Sequence, residues 1–121
     1  MKRENTKLKL LYLREILLKY SDQDHPLTAG DLEKKLESYG CQAERKSIYN
    51  DINALIESGM DIIKSQSPPG FFVGSREFEL AELKILVDAV ISSKFITGKK
   101  SEKLVEKLSS LASDAEKREL C

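Results

Sequence analysis

The sequence contains no tryptophan, a single histidine, two cysteines and three prolines, and its 20 positive and 20 negative side chains cancel. Each shortage closes a route. Cys41 and Cys121 form no CxxC pair and have no histidine neighbour, so they do not make a zinc site. Cys41, next to Gly40 at a helix boundary, reads as a half-buried small hydrophobe, and Cys121 as a thiol on the terminal residue. Such sparse cysteine fits a reducing cytoplasm. His25 stands beside Pro26 in a loop and supports neither a metal site nor a triad. There is no Gly-rich phosphate loop, no pair of catalytic carboxylates and no nucleophile with a base. The expectation is a protein that is not an enzyme and uses no cofactor and no metal. No apolar run approaches the roughly 18 residues of a membrane span. The basic start MKRENTKLKL is not followed by an apolar stretch with a small-residue cleavage site. No membrane association is expected.

What the chain does have is enough apolar residue for a core, 40%, beside 33% charged residue. Zero net charge argues against nucleic-acid binding, because phosphate affinity comes from Lys and Arg. The average hides a pattern. Residues 1–20 hold six basic and two acidic side chains, net +4, whereas residues 21–43 hold two basic and five acidic ones, net −3. A local positive edge can exist on a neutral molecule.

Hydrophobic spacing sets out the elements. In "KLKLLYLREILLKY", residues 7–20, Leu10, Leu13, Leu17 and Tyr20 make one stripe, widened by Leu8, Tyr12 and Ile16, which predicts a helix. "SDQDHP" breaks it at Pro26. Thr28 with Asp31 approximates a capping box, and Leu27 can staple onto Leu32. Leu32 and Leu36 form the inner face of this second helix, which Gly40 closes. In "AERKSIYNDINALIESG", Ile48, Ile52, Leu55 and Ile56 predict one buried face. Lys46, Tyr49, Asn50 and Asn53 predict the opposite one. "DIIKSQSPPGFFVG" then changes period. Strands Asp61–Ser65 and Phe71–Val73 are expected around a type II turn centred on Pro69 and Gly70. Helical spacing returns at Leu80, Leu83, Val87, Val90 and Ile91. Gly98 interrupts it, and Ser101 caps a last helix carrying Leu104, Leu108 and Leu111. Residues 114–121 are expected to fray into a flexible tail.

The predicted fold is therefore mainly α with a small β-hairpin: a winged helix-turn-helix over residues 1–75, followed by a two-helix extension over 76–113. In that plan the third helix offers its polar face to a DNA major groove. Arg45 and Lys46 stand in its first turn, where the helix dipole disfavours cations, so contact with phosphate or guanine would explain them. Ser47 and Tyr49 can donate to phosphate oxygens, and Asn50 and Asn53 can bridge an adenine edge. Asp51 would repel phosphate and is expected to pair with a basic side chain instead. In the wing, Lys64, Ser65 and Gln66 are candidates for an auxiliary contact. Thr28 can present its backbone N–H to a phosphate or serve only as the cap.

The segments "RKSIYNDINALIESGMDI", "GFFVGSREFELAELKILVDAVISSKFIT" and "KSEKLVEKLSSLAS" together resemble the N-terminal part of the WYL-domain transcriptional regulators, bacterial proteins related here to DeoR-type winged helices. The similarity covers roughly residues 7–113. It implies an operator-binding winged helix, a helical linker and dimerisation. The recognition positions would map onto Arg45, Lys46, Ser47, Tyr49 and Asn50. Members often carry Arg after the Tyr of this motif, where this chain has Asn50. Such regulators continue into a WYL domain, so the sequence reads as a fragment or a short relative, and no ligand sensing is carried over. Two functions follow as expectations. The first is a sequence-specific module for double-stranded DNA, with a homodimer through residues 79–111 or, alternatively, packing of those residues on Leu10–Leu17. The second is a winged-helix adaptor that binds a partner protein and not DNA.

Overall fold

The computed structural model describes residues 6–120. The expectations for Cys121 and for the basic residues Lys2 and Arg3 lie outside them. Six helices and one two-stranded antiparallel hairpin make up the described residues. The chain divides into two compact units, Met1–Ser75 and Arg76–Cys121. No helix among the described residues is long and apolar enough to cross a membrane.

The first unit runs α1 (Thr6–Tyr20), α2 (Ala29–Ser38), α3 (Arg45–Glu57), β1 (Ile62–Gln66) and β2 (Pro69–Val73). This is the helix, helix, helix, hairpin order of a winged helix-turn-helix. Its core joins Leu13, Ile16 and Leu17 of α1, Leu32 and Leu36 of α2, and Ile48, Ile52 and Leu55 of α3. Spacings of three and four residues put each trio or pair on one helical face. Helix α2 starts where its cap chemistry dictates. Thr28 Oγ1 accepts from the Asp31 N–H at 3.1 Å, and the Thr28 N–H donates to Asp31 Oδ2 at 2.9 Å. It closes at Tyr39, after which Gly40 takes a φ of +82°.

The hairpin departs from the expected turn. Gln66 pairs with Pro69, so Ser67 and Pro68, joined by a cis peptide bond, form the tip, and Pro69 and Gly70 belong to β2. The reason lies on the far edge of β2. Leu27 N–H donates to Phe71 O at 2.8 Å, and Phe71 N–H donates to Leu27 O at 2.7 Å. That bridge draws the chain just before α2 against β2 and extends the strand to Pro69. Gly70, at φ +136°, is the residue that permits it, since a Cβ there would lie 2.6–2.8 Å from the Leu27 backbone. Ser21 adds a second fastening. Its buried hydroxyl donates to Leu17 O at 2.6 Å and accepts the Val73 N–H at 3.0 Å. The wing is thereby tied to the end of α1 and to the start of α2.

The second unit holds α4 (Leu80–Ser92), α5 (Gly98–Ser109) and α6 (Asp114–Leu120). Two expectations fail here. Gly98 is the first residue of α5 and not a breaker, because Thr97, in extended conformation, is the N-cap in place of Ser101. The flexible tail is a helix. Ser113 Oγ accepts the Glu116 N–H at 3.2 Å, and acidic residues in the first turn with Lys117 and Arg118 in the last suit the helix dipole. The extension thus has three helices. Among the apolar residues at helical spacing, Leu83 and Val87 are buried, whereas Ile91, Leu104 and Leu111 are exposed.

Gly70→Ala is expected to lower folding stability by at least about 1–3 kcal/mol, the cost of a side chain held in a disfavoured backbone region, with the backbone clash in addition. Urea unfolding followed by circular dichroism measures it. An unchanged midpoint would show that the Leu27–Phe71 bridge does not anchor the wing.

Candidate nucleic-acid interface

The rotation of α3 is set by its inward face. Ile48 is fully buried, and Ile52 and Leu55 nearly so. The outward face carries Arg45, Lys46, Tyr49, Asn50 and Asn53, all exposed. Ile56, expected inside, is 44% exposed. It sits one helical position beyond the buried stripe, where neither α1 nor α2 reaches.

A charged network locks the side of α3 that faces α1. Lys9 stands at the N-terminal end of the buried stripe of α1, four residues before Leu13, and is itself buried. A buried ammonium needs partners. It finds Asp51 at 3.0 Å and donates to Ser47 Oγ at 2.9 Å. The Ser47 hydroxyl in turn donates to Glu44 O at 3.0 Å. Asp51 thus pairs with a cation, as its position predicted. Ser47, expected to reach a phosphate, is half-buried and spends its hydroxyl inside this network instead.

Arg45 opens α3 and leans toward α2. Its Nε lies 3.1 Å from Glu33 Oε1. Its Nη2 would stand 3.7 Å from a Cβ placed on Gly30, which sets the guanidinium over the first turn of α2. Both partners are substantially exposed, so the pair is worth roughly 0–1 kcal/mol and exchanges readily for another anion. Lys46 makes no ion pair among the described residues.

Tyr49 carries the surface from α3 to the wing. Its ring meets Phe71 edge-on, centroids 5.8 Å apart, and Lys64 Nζ lies 5.9 Å from the centre of the same Phe71 ring. Between these elements opens a cleft of about 280 Å³ whose walls include Thr28, Tyr49, Lys64, Ser65 and Gln66. Five of the ten candidate residues therefore share one depression. Arg45, Lys46, Asn50 and Asn53 continue it along the ridge of α3. Thr28 contributes less than expected: its N–H and its hydroxyl are both taken by Asp31. On the other side of the ridge, Glu33, Glu37 and Glu44 line a shallow acidic cleft at the α2–α3 turn.

Hydrophobic spacing alone does not single out Lys9 and Phe71 as supports of this surface. The signal for Lys9 was available, since a lysine at a core position of an apolar stripe must be paired. Phe71 gave no such signal, because its neighbours depend on the Leu27 bridge. Lys9→Ala is expected to destabilise the unit by about 1–3 kcal/mol, since it leaves the Asp51 carboxylate without its cation. Urea denaturation checks this, and an unshifted midpoint would remove the network as the brace of α3. Scans against models of protein families, against curated proteins and against solved structures each returned no match.

Proposed function

We propose that the first unit is a sequence-specific double-stranded DNA-binding module of a bacterial transcriptional regulator of the WYL type, acting in the cytoplasm. Helix α3 enters the major groove, and the hairpin makes an auxiliary backbone contact. One observation carries the reading: the Arg45–Lys46–Tyr49–Asn50–Asn53 ridge is open to solvent while Ile48, Ile52 and Leu55 are sequestered. Two amides and two cations at the start and middle of an exposed helix are the groups that read adenine and guanine edges. Lys46 and Lys64 serve phosphates. Arg45 exchanges Glu33 for a guanine or a phosphate. Ser47 and Thr28 act through the fold, by bracing α3 and capping α2.

The second unit joins two copies. Helix α4, LAELKILVDAVIS, is apolar at nine of its 13 positions, yet buries only Leu83 and Val87 in the isolated chain. A helix apolar on most sides needs more cover than one small unit supplies. Two copies related by a two-fold axis would read a palindromic operator.

The adaptor reading retains one supporting observation. The acidic cleft of Glu33, Glu37 and Glu44 lies beside the ridge, and it would favour a basic protein partner over phosphate.

Fluorescence anisotropy of the full chain on a mixed-sequence duplex, titrated at several salt concentrations, separates the two. The expected log–log slope is about −0.9 for each phosphate neutralised. Lys46→Ala should flatten the slope by about that amount for each protomer, whereas Asn50→Ala should cost about 1–3 kcal/mol only on duplexes containing the preferred adenine. Absence of binding at low salt would overturn the DNA reading and leave the adaptor.

A further inference from the structure

Phe95 is 98% exposed. It lies in the segment between α4 and α5, and its N–H donates to Ser93 Oγ at 3.3 Å, which holds the turn that presents the ring. An aromatic ring left wholly in water is a large apolar surface without cover. The same unit carries an open groove of about 330 Å³. Ile91 and Val105 wall it, and Ser109 lines it with a buried hydroxyl that makes no hydrogen bond among the described residues. Glu102 and Glu106 stand on the rim, with Lys117 beside them.

We propose that two copies of this chain lock through these features, the Phe95 ring of each seated between Ile91 and Val105 of the other. The inference deepens the dimer reading given above and rests on it. Three observations choose a second copy over another occupant. First, the groove admits a phenyl side chain, and the chain's own Phe95 does not fill it. Second, knob and groove sit close together, since Ile91 precedes Phe95 by four residues. A two-fold interface requires such a patch, in which each residue meets a complement found elsewhere on the same surface. Third, the charges match. The segment between the two helices, SKFIT, residues 93–97, holds Lys94 and no acid. Exchange brings Lys94 of each copy toward Glu102 and Glu106 of the other, with opposite signs at the rim of an apolar centre.

The test uses the full chain carrying Cys41→Ser and Cys121→Ser. Sedimentation equilibrium should show a dimer, and Phe95→Ala should raise its dissociation constant by about 30-fold or more, the loss typical of a truncated aromatic anchor. Phe95 touches so little in one copy that the helical circular dichroism should not change. Glu102→Lys with Glu106→Lys should weaken the dimer likewise, and adding Lys94→Glu should restore it. Mixing a Phe95→Cys chain with a Val105→Cys chain should yield a disulfide between the two species under mild oxidation. If the parent dimerises but Phe95→Ala leaves its dissociation constant unaltered, or if the mixed disulfide does not form, the lock is wrong while the dimer stands. A parent chain that stays monomeric overturns both. DNA binding by the monomeric Phe95→Ala chain to a single half-site is read separately and bears only on the first unit.

Discussion

The burial of Ile48, Ile52 and Leu55 against α1 and α2 is the constraint on which the proposed surface depends. A helix has no other means of choosing which residues it shows. Turning α3 by a single residue, about 100° around its axis, would carry Tyr49 and Asn53 toward the core and lift Ile48 into water. Burying each aliphatic side chain is worth about 1.5–3 kcal/mol. Three of them hold the rotation against any preference of the polar face. The outward ridge is the complement of that packing.

The packing alone leaves α3 free to tilt and slide. Two side-chain fastenings, one polar and one aromatic, restrict it. Lys9 reaches from α1 to Asp51 and Ser47, and directional contacts of this kind penalise displacement more steeply than apolar contact does. On the opposite side, Tyr49 leans on Phe71, whose backbone is paired with Leu27. The wing is therefore coupled to α3 through a strand that also begins α2. The start of α2, the outward ridge of α3 and the hairpin form one assembly, and the cleft between them collects Thr28, Tyr49, Lys64, Ser65 and Gln66.

Electrostatics follow from the same arrangement. The first unit balances 11 basic against 11 acidic residues over positions 1–75, so any attraction for phosphate is local. Glu33 occupies Arg45, Asp51 occupies Lys9, and Lys46 is exposed and makes no ion pair among the described residues. Binding would proceed by partner exchange at Arg45 and direct contact at Lys46 and Lys64. Under the proposed function, that scheme would give modest non-specific affinity and would leave discrimination to the asparagines. In the second unit the imbalance is one of apolar surface. Ile85 is 69% exposed and Ile91 64%, more than an isolated three-helix unit usually leaves uncovered.

Local chemistry was legible in the sequence wherever one residue type has one strong preference. The α2 cap at Thr28 and Asp31, its end at Gly40, the helical period of α1 and α3, and the pairing of Asp51 all follow from interactions spanning a few residues or from the cost of a lone charge. The outward ridge of α3 was readable for the same reason. Interactions between distant segments were not. Whether Pro69 and Gly70 turn or extend depends on Leu27, more than forty positions away; Ser47 is withdrawn by Lys9, and Ile56 is exposed because no element covers it. Periodicity marks which residues share a face, but a face is buried only if another element arrives to cover it. That arrival decided the wing, the cleft and the uncovered apolar surfaces of α4 and α5.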